Sequence, residues 1–248
     1  MSGSLVVLVP PSEGKEPGGS QVRKSGAFDG PLRGARREVL REVSTLLTTD
    51  DETQLERVLG VRGPLMVRAR QAMNAVVAGR SPLLPAWQRY SGVVWTHLDP
   101  TSLRPNERRR LLVPSGLYGV NTGEDLISDY RLKMNISLGS LGRLDAFWRS
   151  QLTDVLGDYL HGKTVINLLP NEHAAAIDVA GLATVTKFVV VSFVQSSGGR
   201  ASGHAAKAVK GVLARQLIRE GVDVLQNFRW EGWRTRQSAT SWEVLAPK

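Results

Sequence analysis

The sequence predicts an α/β protein of the mixed α+β kind, with a mixed central sheet flanked by helices and a helical lobe inserted after the first strand. Three observations predict it. Short apolar runs rich in β-branched residues recur near 5–9, 110–114, 164–169 and 188–193, as strands buried on both faces do. Helix-spaced apolar stripes separate most of them, an alternation that points to a largely parallel or mixed sheet. Helical patterns clustered over residues 29–91 break that alternation and read as an inserted lobe within a single 1–248 domain.

The elements follow in order. Leu-Val-Val-Leu-Val at 5–9 is the first strand, stopped by Pro10-Pro11. Ser12 to Phe28 is rich in Gly, Ser and Lys with almost nothing to bury, so it reads as a loop. From Pro31 to Leu47, the positions Leu32, Ala35, Val39, Leu40, Val43 and Leu46 have helical spacing. Asp50-Asp51 offers a cap for a short helix through Leu59, and Gly63-Pro64 opens another to about Val77, with proline suited to a first turn. Val93–Trp95 reads as a short strand and Arg110–Pro114 as a firmer one. Ser140 to His161 carries the strongest helical stripe: Leu141, Leu144, Phe147, Trp148, Leu152, Val155 and Tyr159. A strand at Thr164–Leu169, a helix from near Asn171, a strand at Phe188–Phe193 and a helix from about His204 to Glu220 come next. Leu225 to Leu245 alternates like one or two edge strands.

Composition narrows the chemistry. The 248 residues hold 32 Lys+Arg against 23 Asp+Glu, a formal charge of +9, and no cysteine. Without cysteine there is no disulfide framework, zinc ribbon, iron–sulfur ligation or thiol catalysis. The positive balance predicts an anionic partner such as nucleic acid, phosphate or an acidic surface, without saying which. Charges interrupt every stretch before about 18 apolar residues accumulate, and no basic leader precedes Leu5, so no membrane partner and a cytoplasmic location are expected. His97, His161, His173 and His204 lack metal-ligand spacing, Gly14-Lys15 lacks the rest of a Walker motif, and no Gly-x-Gly-x-x-Gly or Gly-x-Ser-x-Gly is present. No metal and no cofactor are expected.

Three predicted strands run straight into short polar loops, bearing Ser12, Glu13 and Lys15, then Ser115 and Tyr118, then Asn171 and Glu172. Parallel neighbours would converge these residues on one rim beyond the carboxyl ends of the strands, where ligands bind in open α/β sheets. Ordinary strand-to-helix turns, with Ser and Asn as helix caps, give the same pattern. In an enzyme, Lys15 would serve as anion ligand or desolvated amine and Glu13 or Glu172 would move protons, with Tyr118 beside them.

Leu59-Gly-Val-Arg-Gly-Pro64 lies between two amphipathic helices and resembles a helix-hairpin-helix turn. There, Gly60 and Gly63 would let backbone N–H groups hold a phosphate while Arg62 and Arg68 add charge. A plain turn between helices reads the same way. On the helix 204–220, Lys207, Lys210 and Arg215 have no interleaved carboxylate, which favours an anion-binding face. Arg104 to Arg110 reads as a basic surface patch. Phe228 to Arg236 interleaves aromatics with arginine, as stacking surfaces for nucleic acid do and as inward-facing edge strands also do.

Six segments, in order, carry a family signal: Leu8-Val-Pro-Pro-Ser-Glu-Gly-Lys15, Val113-Pro-Ser-Gly-Leu-Tyr-Gly-Val120, Asp125-Leu-Ile with Tyr130-Arg-Leu-Lys-Met134, Phe147-Trp148, Val165-Ile-Asn-Leu-Leu169 with Asn171-Glu172, and Lys207-Ala-Val-Lys-Gly211 with Arg215. Together they resemble the YaaA peroxide-stress protein family over nearly the whole chain. The resemblance implies an unusual mixed α/β fold, a helix-hairpin-helix element and a positively charged cleft. It further implies a cytoplasmic protein that binds DNA without marked sequence preference and limits iron-driven oxidative damage. It brings no settled enzymatic activity. It adds Asp125, Tyr130 and Arg131 to the expected anion-binding set of Ser12, Ser115, Asn171, Lys207, Lys210 and Arg215.

The chain also departs from the family pattern. Val120-Asn-Thr-Gly-Glu-Asp125 lacks the usual Arg-Pro pair, Lys133 stands where Glu is common, and Asp129 precedes Tyr130 where Pro is usual. The 195–203 loop is longer. These changes mark a diverged paralogue and keep open a biosynthetic enzyme acting on a small anionic or nucleotide-like substrate in the same cleft.

Overall fold

A computed structural model describes residues 4–20, 22, 24–239 and 241–247. In chain order its elements are β1 (Leu5–Leu8), α1 (Arg33–Leu47), α2 (Glu52–Leu59), α3 (Pro64–Val77), β2 (Leu83–Pro85), α4 (Ala86–Arg89), α5 (Val93–Leu98), α6 (Pro105–Arg108), β3 (Leu111–Ser115), β4 (Gly119–Thr122) and β5 (Leu126–Ser128). There follow α7 (Leu144–Leu160), β6 (Thr164–Asn167), α8 (Asn171–Ala174), α9 (Val179–Leu182), β7 (Lys187–Val194), α10 (Gly203–Glu220), α11 (Val224–Asn227), β8 (Arg229–Trp230), β9 (Trp233–Ser238) and β10 (Ser241–Leu245).

The main sheet has the order β4-β3-β1-β6-β7-β10-β9-β8. Five neighbouring strands, β3, β1, β6, β7 and β10, are parallel; β4 is antiparallel at one edge, and toward the other β9 pairs antiparallel with both β10 and the edge strand β8. β1 is buried along its length, as the Leu-Val-Val-Leu run requires, and Val7 pairs with Leu111 on one side and Ile166 on the other. From β1 the chain goes on to β3 on one side, and from β6 to β7 on the other. The carboxyl ends of β1 and β6 therefore flank a topological switch point, where open sheets of this kind leave a crevice.

The helices between β1 and β3 bury Val39, Leu55 and Met73 in the same continuous core as Val7 and Ile166. No helix of the described residues is long and apolar enough to cross a membrane.

Several expectations need correction. Val93–Trp95 opens α5, because Val94, Trp95 and Leu98 face inward at helical spacing against α10. The stripe of α7 is Leu144, Trp148, Leu152, Leu156 and Leu160, with Phe147, Val155 and Tyr159 half-buried at its margin; Leu141 falls in a preceding 3₁₀ turn. The tail is not all edge: β10 lies inside the sheet and pairs parallel with β7. Phe228 and Trp233 are buried, so the aromatic tail serves mainly as packing. The 12–28 loop does bury side chains, Lys15 and Phe28 among them, and bridges to Tyr90 and Leu83 pin it down.

The arginines of 104–110 are largely engaged rather than free. Arg104 pairs with Glu107 at 2.9 Å, Arg108 pairs with Glu124 and lies 4.3 Å over Trp87, and Arg110 donates to the Ile218 carbonyl.

Candidate functional site

A cleft of about 1470 Å³ opens at the switch point. Its walls come from the Pro10–Lys15 loop behind β1, the α2–α3 turn, the start of α5 at Ser91–Trp95, the 129–135 segment after β5, the Asn171–Ala174 turn, Val190–Phe193 of β7 and the first half of α10. Parallel pairing puts the ends of β1 and β6 side by side, and the extended 129–135 segment returns between them and α2.

Lys15 is the most deeply placed cation on this surface, 8% exposed. Its Nζ donates to the Ser12 carbonyl at 2.8 Å and lies 4.2 Å from the Tyr130 ring centre and 5.5 Å from that of Tyr90. Burial, reinforced by the Arg131 guanidinium, lowers the ammonium from 10.5 to about 7, against the opposing pull of Asp129. Arg131 is itself held by Asp129 at 2.5 Å, and Arg68 reaches the other oxygen of that carboxylate at 3.4 Å.

Across the cleft, Glu172 and Lys207 are exposed, and Arg200 donates to the Asn171 side chain at 2.6 Å. Lys210 packs its Nζ 4.9 Å from the Phe193 ring centre, and burial lowers it to about 8. His173 lies between these groups. Its Nε2 is 3.5 Å from Glu172, its Nδ1 is buried without a partner, and burial with the Lys210 and Lys15 charges lowers it to about 4. The imidazole is neutral at pH 7, a free base facing a cationic neighbourhood.

The α2–α3 turn is built for a sharp change of direction. Asp51 caps α2 by accepting from Gln54 N–H at 2.9 Å, and Gly60 ends it in the left-handed region at φ +71°. Gly63 at φ +56° and Pro64 then start α3. Lys133 runs across the turn so closely that a Cβ on Gly60 would stand 2.3 Å from its Cε.

The expected residues divide into two groups. Ser12, Glu13, Lys15, Gly60, Arg62, Arg68, Tyr130, Arg131, Asn171, Glu172, Lys207 and Lys210 all line the cleft. Gly63, Ser115, Tyr118, Asp125 and Arg215 do not. Ser115 is fully buried beneath the site and donates to the Tyr130 hydroxyl at 2.8 Å. That hydroxyl also meets Tyr90 at 2.9 Å, and burial pushes Tyr130 up to about 12. Tyr118 faces a separate cavity of about 580 Å³, where its hydroxyl donates to Ser128 Oγ at 3.0 Å and accepts from Ser128 N–H at 2.9 Å. Asp125 accepts from Thr122 and Ala27 N–H groups, and Arg215 pairs with Asp99 at 3.2 Å. These five hold the frame.

Sequence reasoning passed over His173, Asp129, Lys133, Arg57 and Arg200, all cleft-lining. His173 adjoins the Asn171-Glu172 motif and was legible as its neighbour. Asp129 and Lys133, the positions at which the sequence was expected to depart from the family, both fall on this surface.

A mixed sheet with five neighbouring parallel strands and a cleft at its switch point defines a protein of the mixed α/β class. More narrowly, the profile described as "Peroxide stress protein YaaA" matches residues 5–239, and the chain belongs to that family. It is 34% identical over 223 residues to a UPF0246 protein of Streptomyces coelicolor, covering 88% of this chain and 84% of that one. A UPF0246 protein of Corynebacterium efficiens is 30% identical over 223 residues, covering 86% and 84%. One from Bacteroides thetaiotaomicron is 26% identical over 210 residues, covering 79% and 82%.

Proposed function

We propose that this chain is a duplex-DNA-binding protein of the peroxide-stress response that grips the phosphate backbone in its cleft without reading sequence. One observation carries the reading: cations from separate segments, Arg57, Arg62, Lys133, Arg200, Lys207 and Lys210, line one surface. The carboxylates there are fewer, and two of them, Glu56 and Asp129, are already engaged by arginines. Among the described residues, Arg57, Lys133 and Lys207 enter no ion pair and are free to meet phosphate. The first amides of α3, opened by Gly63-Pro64, add donors of the kind that hold an anion at a helix start. Phosphate contacts position a protein on DNA and carry no sequence information. The reading places the protein in the cytoplasm, with the chromosome.

The test is a duplex titration across salt concentrations. Each phosphate neutralised contributes a slope of about −0.9 in log K against log salt. The double variant Arg62→Glu with Lys207→Glu is expected to weaken binding by about 100-fold or more at low salt, equally on unrelated sequences. Affinity that stays level from low to physiological salt overturns the reading.

A second reading, an enzyme acting on a small anionic or nucleotide-like substrate in the same cleft, draws its support from the buried amine of Lys15 and the neutral His173 beside it.

A further inference from the structure

Phosphate binding leaves Lys15 and His173 unexplained. A lysine that meets phosphate on a protein surface is typically exposed, as Lys207 is. Lys15 is instead buried against two tyrosine rings, with a single carbonyl hydrogen bond and, among the described residues, no ion pair. Burial lowers its ammonium to about 7, which brings the free amine within reach at neutral pH. His173 likewise keeps an unpartnered buried nitrogen in the same cleft.

We propose that Lys15 is an imine-forming amine that attacks the aldehyde of a phosphorylated sugar held in the cleft by Arg131, Lys207 and Lys210. The Nζ lone pair forms a bond to the aldehyde carbon, and a proton moves from nitrogen to the new hydroxyl. That hydroxyl takes a further proton from solvent and leaves as water, and the C=N bond closes as a protonated imine. The Tyr130 ring face stabilises the positive charge on the protonated imine. Where phosphate sits on the β-carbon, the protonated imine acidifies the α-carbon. His173 accepts the α-proton, the C–O bond to phosphate breaks and the electron pair leaves with it. Water then hydrolyses the imine, freeing Lys15 and an unsaturated aldehyde. No oxidant or reductant enters.

Two sources present this chemistry: the ring-opened deoxyribose of a base-free site in duplex DNA, and a free sugar phosphate such as glyceraldehyde 3-phosphate. The first rests on the DNA-binding reading and the second does not.

The full-length protein is incubated with borohydride and, in separate arms, a duplex carrying a base-free site or glyceraldehyde 3-phosphate. The adduct is located by peptide mass spectrometry. Binding is measured independently on the same duplex with its sugar aldehyde already reduced to the alcohol. The expected result is an adduct on Lys15, forming faster as pH rises through about 7. Lys15→Arg keeps the charge, never supplies a free amine, and is expected to lose the adduct by about 100-fold or more while still binding the reduced duplex. His173→Gln is expected to keep the adduct and slow phosphate release by about 100-fold.

No adduct in either arm, or an adduct on Lys207 or Lys210 instead, overturns the inference. Binding of the reduced duplex with no adduct overturns it and leaves the DNA reading standing. An adduct with glyceraldehyde 3-phosphate and no duplex binding sustains the imine chemistry and overturns the DNA reading. Mapping on the unmodified chain keeps the test decisive if Lys15→Arg fails to fold.

Discussion

Burial changes what a residue type can do, and His173 shows the consequence most directly. Its imidazole holds its proton only below about pH 4 in the folded chain, against 6.5 when unfolded. Between those values the unfolded chain binds more protons, so stability falls as pH drops from 6.5 toward 4. The loss is up to about 3 kcal/mol. His173→Gln is expected to flatten that part of the profile, which chemical denaturation at a series of pH values would show; an unchanged slope would assign the acid sensitivity elsewhere. In the sequence His173 was legible only as the neighbour of Asn171-Glu172, and Lys15 as an anion ligand or a desolvated amine alike; burial decided between the two. Ser12-Glu-Gly-Lys15 reads as a solvated loop, and what makes Lys15 unusual is contributed by Tyr90 and Tyr130, far along the chain. Arg89 was equally hidden. It is fully buried and donates to the Gly18 and Pro82 carbonyls, both at 2.9 Å, and to those of Glu16 and Ile127, thereby setting the path of the loop that follows Lys15.

Helices and strands were read more faithfully than single residues, since their signal is local periodicity. The cap at Asp51, the start at Pro64, the run of β1 and the span of α10 all lie where the spacing put them. Short elements escaped, α5 above all, because three apolar residues in a row fit a strand or one face of a helix equally well. The packing of α10 on α5 depends on Gly211, where a Cβ would stand 2.3 Å from the Val94 carbonyl oxygen and 2.7 Å from Leu98 N. Backbone cannot yield as a side-chain tip does, so Gly211→Ala is expected to push α10 outward and cost about 2–3 kcal/mol. Lys207 and Lys210 ride on the turn that would move. A thermal melt with the stability of the parent chain would show that the contact relaxes freely.

At the scale of the whole molecule, the proposed duplex binding draws on a summed field rather than on any one contact. Arg57 on α2, Lys133 after β5 and Lys207 on α10 sit on separate elements yet face the same space. Each single change to alanine is therefore expected to weaken duplex binding about equally on all sequences and to reduce the salt slope by about 1. A variant that alters preference between sequences, with the slope unchanged, would point to base contacts instead. The amino-acid sequence alone determined β1, β3, β6 and β7, the long helices, the net charge and the six ordered motifs of the family, because each depends on composition or on neighbours a few positions apart. Only the tertiary structure decided that β3, β1 and β6 are parallel neighbours, that the α2–α3 turn and α10 share one cleft, and that Tyr118 and Arg215 brace the frame rather than line it. Strand order and desolvation arise from contacts between distant segments, and local pattern carries no record of which distant segment will arrive.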